Sequence, residues 1–384
     1  MINRVVGPLI SSGNVAGRNK VVGSVSADAG RRSPQVVTGH VTLADVARAA
    51  GVSLATASRA LNGASGRTVR PDLAERVLVA ARSLNYSPNA TAQAMVRGQT
   101  STVGLIVHDI ADPFAASVAS GVMAAAAERG LIVTIASALS DQEQEIRHVE
   151  ALRRQRATAI ILAGSRFGDQ DVRRRLTDEL TGFLSTGGHV AAIGQVQLPV
   201  NTVEIENAEG ARRLARVLWS LGYRRFAVLA GPENLLTSED RMAGFRTGLT
   251  ECGHRLPEEN IIATQFTRDG GYVAMTELLD QGLEVDAVFA VNDVMAVGAM
   301  AALREQGHRV PEDLALAGFD DIPTLRDVQP PLTTVRIPLV QIGRRALTLA
   351  MDGPDGNEAR PVSVTIPGEV VVRASTPVRA TPPD

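Results

Sequence analysis

Residues 42–62 read TLADVARAAGVSLATASRALN. Thr42 is a good N-cap, and Asp45 follows three residues later beside the positive end of a helix. Leu43, Val46 and Ala47 fall at i, i+3 and i+4 and form one apolar stripe. Gly51 stops this helix, Val52 packs in the turn, and Ser53 caps a second helix with Ala57 and Leu61 on its inner side. The small residues Ala47, Ala50 and Ala57 let the two helices cross closely. This spacing predicts a helix-turn-helix, whose second helix enters the DNA major groove with its N-terminal residues forward. The outward set is then Leu54, Ala55, Ser58, Arg59 and Asn62. Arg59 can fork two hydrogen bonds to guanine, and Ser58 and Asn62 suit phosphates or base edges.

Working outward, PDLAERVLVAARSLNY (71–86) predicts a third helix, with Pro71 in its first turn and Leu73, Val77, Ala80, Ala81 and Leu84 inside. Pro88 then bars helix at Ser87, Asn89 can cap a short helix over 90–97, and Gly98 ends it. Such a helix is too short to stand alone in water and would fold only against DNA or a partner copy. Residues 1–40 hold six glycines and five serines with no helical or strand period, and read as a disordered basic extension.

Charge follows the same division. The chain carries −2 overall, yet residues 1–40 have five basic residues against one acidic, and 41–98 have seven arginines against three carboxylates. A basic front on an acidic body suits a head that approaches phosphates. Binding to a membrane surface is the other use of such charge, and it needs a broad apolar face beside it.

The chain has 384 residues, 45% of them hydrophobic, enough for two or three domains at about 150 residues each. Its apolar runs, such as AVFAV at 287–291, fall far below a membrane span of about 18 residues. VVGPLI near the start is too short and broken for a secretory signal, and the single Cys252 forms no internal disulfide. These features point to the cytoplasm.

From residue 103 the chain alternates β-branched runs with amphipathic stretches. Strands are expected at 103–107, 131–136, 158–163, 190–194, 225–231, 286–291 and 314–319. Helices are expected at 115–129, 141–155, 207–221, 240–252, 270–282, 293–306 and 338–352. That alternation means parallel sheets covered by helices, with ligands at the carboxyl ends of the strands. G-x-G-x-x-G, G-x-x-x-x-G-K-[ST] and G-x-S-x-G are absent, and the six histidines lack metal spacing, so no enzyme, cofactor or metal site is expected. A polar set remains at the loop ends. Asp293 follows a strand at a helix start, Arg241 opens a helix in RMAGF, and Phe114 and Phe266 sit in loops where either could stack on a ring. Taken singly, caps, an ion pair and core filling explain these residues.

The runs VTLADVARAAGVSLATASRALNG and RVLVAARSLNYSPNATAQAM closely resemble the DNA-binding head and hinge of the LacI/GalR family of bacterial transcription regulators, and the likeness continues to about residue 373. It implies an α/β body, two-lobed and periplasmic-binding-protein-like with parallel sheets, behind an N-terminal all-α helix-turn-helix head. The expected divisions are a disordered extension (1–40), the head (41–87), a hinge helix and linker (88–101), an effector-binding and dimerisation body (102–373) and a flexible Pro-rich tail (374–384).

By the resemblance, Thr42 and Ser53 contact phosphate, Leu54, Ala55 and Arg59 face bases, and Met95 stands where a leucine is usually wedged into the minor groove. With Thr56, Ser58, Asn62 and Asn89 these complete the expected DNA-binding set. GASGRTVRPDLAERV departs from the pattern: Arg70 and Leu73 replace a common serine and threonine, so phosphate contact can pass to Arg67, Thr68 or Arg70. The family's effector contacts fall on Phe114, Ser165, Thr237, Arg241, Phe266 and Asp293, with Asp109 and Asn292 beside them, and Gln195 replaces a frequent arginine. The implied partners are double-stranded operator DNA, a small effector such as a sugar, and a second copy of the chain. Two rival readings make different demands on the sequence. A transporter's solute-binding protein would show an export signal and no basic head. A sugar-modifying enzyme would need paired carboxylates, for which Asp109, Asp112 and Asp293 are the candidates.

Overall fold

A computed structural model describes residues 41–62, 69–87, 99–139, 141–353 and 360–379. The expected extension 1–40, the hinge residues Asn89 and Met95, Arg67, Thr68 and the side chain of Asn62 lie outside the described residues. The chain divides into two compact units, residues 1–88 and 89–384.

The first unit holds three helices, α1 (Leu43–Ala50), α2 (Leu54–Asn62) and α3 (Pro71–Ser83). Thr42 and Asp45 form a full capping box at the start of α1. Gly51 ends α1 at φ 64, where a side chain would be strained. The Ser53 hydroxyl accepts from the Thr56 backbone at 3.1 Å and starts α2. Val46, Ala47, Ala50, Ala57, Val77, Ala80 and Ala81 make the small core.

The second unit has two lobes. In the first, β1 (Thr102–Val107), β2 (Ile132–Ser137), β3 (Ala159–Ala163), β4 (His189–Gly194), β5 (Asn201–Ile205) and β11 (Ser363–Ile366) form one sheet in the order β11-β5-β4-β3-β1-β2. All its pairings are parallel. Alternate residues separate its two faces: Leu105, Ile161 and Ile193 enter one core, and Ile106, Ile160 and Leu162 enter another. The covering helices are α4 (Pro113–Glu128), α5 (Gln142–Arg154), α6 (Gln170–Ser185) and α11 (Leu339–Asp352). Helices α4 and α11 touch backbone to backbone, since a Cβ on Gly121 would lie 2.0 Å from the Val340 carbonyl.

In the second lobe, β6 (Phe226–Ala230), β7 (Ile261–Ala263), β8 (Ala287–Ala290) and β9 (Ala315–Ala317) form a parallel sheet in the order β7-β6-β8-β9. Helices α7 (Asn207–Ser220), α8 (Leu236–Glu251), α9 (Arg268–Asp280) and α10 (Asp293–Glu305) pack with it, and β10 (Thr334–Arg336) pairs antiparallel with β12 (Glu369–Val371). The chain passes between the lobes three times, after β5, after β10 and after β11.

All seven expected strands form. Helix α6 and strands β5, β7, β10, β11 and β12 were not anticipated, and α8 begins at Leu236 rather than 240. The flexible tail expected from 374 is corrected for 374–379. Ser375 and Thr376 are buried, the Ser375 hydroxyl joins the Thr333 amide to the Leu316 carbonyl, and Arg379 pairs with Asp286 at 2.9 Å. The edge beside β9 supplies the polar partners that the Pro-rich sequence could not reveal. No helix among the described residues is long and apolar enough to cross a membrane.

Candidate functional site

The outer side of α2 is the first candidate. Leu54 is 54% exposed, and Ser53, Ala55 and Arg59 are exposed beside it. The head's other described arginines are engaged. Arg48 pairs with Asp45, Arg70 with Asp72, Arg76 donates to the Ala50 carbonyl, and Arg82 donates to the Leu78 carbonyl. Among the described residues Arg59 has no such partner. Thr42 is exposed, and its hydroxyl is held by Asp45 at 2.6 Å. Thr56 turns its hydroxyl onto Ser53 at 2.8 Å, so it completes the cap as well as lining the face. Ser58 is half-buried.

The second candidate lies where strand ends of the two lobes meet. Phe167 bridges to Leu235, and the Leu236 amide donates to the Arg166 carbonyl at 3.0 Å. The Thr237 amide donates to the Ser165 hydroxyl at 3.2 Å. From the end of β4, the Gln195 amide nitrogen donates to Thr237 Oγ1 and to Asp240 Oδ2, each at 3.0 Å. Asp112 N-caps α4 by accepting from the Phe114 amide, and Asp109 accepts from the Ala111 amide. Burial raises the carboxyls of Asp112 and Asp240 above the ordinary range.

Beneath this layer runs a buried polar lattice. Arg241, 2% exposed, donates from Nε to Asn207, from Nη1 to the Val291 carbonyl at 2.7 Å, and from Nη2 to Asp320 at 2.7 Å. Its guanidinium lies 3.9 Å above the centre of the Phe319 ring. Asp293 is fully buried, and its two oxygens accept from the Thr334 hydroxyl at 2.7 Å and the Ile322 amide at 3.0 Å. Burial pushes this carboxyl up to about 7, with the charge of Asp320 adding to the rise.

The expected residues therefore converge, with corrections of detail. Arg241 lies in the second turn of α8 rather than opening a helix, because α8 starts five residues earlier. Asp293 is not the cap of α10; Asn292 is, accepting from the Met295 amide at 2.8 Å. Phe114 belongs to the first turn of α4, not to a loop, and packs partly into the core. Phe266 stays in the loop before α9, with its ring against Gly231. Asn207, Asp240 and Asp320 were missed. The Asp320–Asp321 doublet directly after a strand is the signal that could have found the last. Among the described residues no group of three or more His, Cys, Asp or Glu could hold a metal.

A three-helix head with an open recognition face, followed by a two-lobed body with a polar seam at its strand ends, is the plan of a ligand-responsive DNA-binding regulator. Residues 42–89 match the family model described as bacterial regulatory proteins, lacI family, and residues 215–376 match the periplasmic binding protein-like domain. The chain is 35% identical over 339 residues to the HTH-type transcriptional regulator CelR of Thermobifida fusca, covering 87% of this chain and 98% of that protein. Among solved structures, a complex of the transcriptional regulator CelR with cellobiose matches with a TM-score of 0.64 and 32% identity, covering 87% and 99% of the two chains. A lac repressor dimer bound to operator and the anti-inducer ONPF matches with a TM-score of 0.74 and 26% identity, covering 88% and 100%. The chain belongs to the LacI family of bacterial transcription regulators. These relatives are named as regulators and a repressor, none of them as an enzyme.

Proposed function

We propose that the protein is a transcriptional repressor that binds a pseudo-palindromic operator as a homodimer in the cytoplasm, under control of a sugar-like effector held between the lobes. The observation that carries this reading is Arg59. On an exposed helix face, it is the described arginine of the head left without an internal partner, as a residue kept for an external acceptor should be. Arg59, Leu54 and Ala55 read base edges, while Thr42 and Ser53 lie on phosphates. Asn89 and Met95 act in the minor groove at the hinge.

In the cleft, Asp109, Ser165, Thr237, Phe114 and Phe266 meet the effector directly. Arg241, Asn292 and Asp293 set the floor beneath them, and Arg241, which donates once to Asn207, once to Val291 and twice to Asp320, has one of its five N–H donors to spare. Effector binding alters the lobe angle and so the spacing of the two hinges, which shifts the population between DNA-competent and incompetent states. Selection from a pool of random duplexes with the full chain tests the DNA half. A palindromic consensus, bound far more tightly than a scrambled duplex up to physiological salt, is the expected result. Binding that ignores sequence and vanishes with salt would leave only a generic basic head.

A further inference from the structure

Each of the three crossings between the lobes meets an arginine on the second lobe. After β5, Asn207 opens α7 and accepts from Arg241 Nε at 2.9 Å. At the second crossing, Arg336 is the last residue of β10. At the third, Glu369 opens β12, stands opposite Arg336 in the antiparallel ladder and pairs with it at 3.5 Å. Arg373 follows two residues after β12.

Arg241, Arg336 and Arg373 converge on one doublet. Asp320 accepts from Arg241 Nη2 at 2.7 Å. Asp321 accepts from Arg336 Nε on one oxygen and from Arg373 Nη2 on the other, each at 2.7 Å. Arg373 also donates to the Leu332 carbonyl at 2.8 Å. The Asp321 side chain is only 12% exposed, so dissolved ions screen these pairs little. The backbone is unusual at the same place. Asp320 lies at φ 117 and Asp321 at φ 56, two successive residues other than glycine in the left-handed region. Such conformations persist where the surroundings over-determine them. The Asp320 amide donates to the Val335 carbonyl, its own carbonyl accepts from the Ile337 amide, and the Ile322 amide donates to Asp293. The buried guanidinium of Arg241 accounts for the Asp320 carboxylate. The Asp321 carboxylate is spent differently, with both oxygens on arginines at the second and third crossings.

We propose that Asp321 is a positioning residue of the effector response: by gripping Arg336 and Arg373 it fixes the second and third crossings to the turn that carries Asp320 and Arg241, so that lobe angle and cleft floor move as one. The proposal rests on the effector reading above and goes further by naming the residue that ties the floor to the crossings.

The test is Asp321→Asn in the full chain without ligand. Asparagine tolerates the left-handed backbone and removes the charge that pairs with both arginines. Hydrogen exchange followed by mass spectrometry of overlapping peptides reads the crossings. The Glu206 amide, bonded to the Ile366 carbonyl, and the Ile337 amide, bonded to the Asp320 carbonyl, should exchange at least about tenfold faster in the variant, while β6 and β8 keep their rates. Unchanged rates at the crossings overturn the proposal. Equal acceleration in β6 and β8 also overturns it, because Asp321 would then be a general stabiliser of the lobe. Adding Arg336→Gln to Asp321→Asn should accelerate the crossings little further, since the two side chains act as a unit, and fully additive acceleration would break that assignment. The functional arm is the affinity of the ligand-free variant for the selected operator, which should shift by about fivefold or more. Freed crossings with an unshifted affinity overturn the link to the response. An unaltered chain that selects no operator would instead contradict the repressor reading, and the link would fall with it, while the exchange rates still decide the grip.

Discussion

Two arginines show how differently the two ends of the molecule work. Both have the guanidinium fork that suits a bidentate partner. Arg59 is exposed, on a helix that owes its shape to caps and a small apolar core, and among the described residues no carboxylate claims it. Arg241 is buried and meets Asn207, Val291, Asp320 and the Phe319 ring. The head therefore keeps its chemistry outside its fold, and the body builds its chemistry into its fold. Losing Arg59 should cost recognition and little else, while losing Arg241 should cost the lobe.

The largest effect is expected at Arg241. Arg241→Ala strands the Asp320 carboxylate in the interior and should destabilise the body by about 3–5 kcal/mol, measured by urea unfolding of the full chain. A loss under about 1 kcal/mol would mean the lattice is not structural. Next is a pH slope. The Asp293 carboxyl, ordinarily near 3.8, lies near 7 in the folded chain, so the folded state holds this proton more tightly. Its contribution to stability is complete below about pH 4 and is lost as pH rises through 7, at up to about 1.4 kcal/mol per pH unit. Asp293→Asn should flatten the dependence of unfolding midpoint on pH between 5 and 8, and an unchanged slope would assign it to another group.

Arg59→Ala tests the other side of the comparison. Stability should change by no more than about 0.5 kcal/mol, while operator binding weakens by about 1–3 kcal/mol and discrimination relaxes at one base pair. Equal weakening on all sequences would reduce Arg59 to a phosphate contact. The smallest effect is at the cap. Thr42→Ala breaks the capping box and should cost the first helix about 1 kcal/mol, read as faster amide exchange in residues 43–46 of the full chain. Exchange rates matching the unaltered chain would show that Asp45 caps the helix without help.

The same contrast explains what the sequence could reveal. The head was legible almost to the residue, because Thr42, Gly51 and Ser53 act on neighbours within a few positions. The buried strands were legible as continuous apolar runs. Helix α6 was not, since its apolar side is reduced to Leu176, Leu180 and Phe183 within an arginine-rich stretch. Strand β11 pairs with β5, some 160 residues away in sequence, and β7, β10 and β12 have three residues each, too few for a period to show. In the cleft, the resemblance placed Arg241 and Asp293, but their burial depends on Asn207, Asp320 and Thr334, which only the folded chain brings to them. Sequence spacing likewise could not show that Gln195 reaches across to Asp240.

The central claim is that the exposed face and the buried cleft are energetically coupled. The direct measurement is the affinity of the full chain for its selected operator, by fluorescence anisotropy, with and without a saturating ligand of the cleft. The predicted result is a change of about tenfold or more in operator affinity, matched by an equal change in ligand affinity when operator is bound. Operator affinity that stays the same while the ligand demonstrably binds would contradict the account.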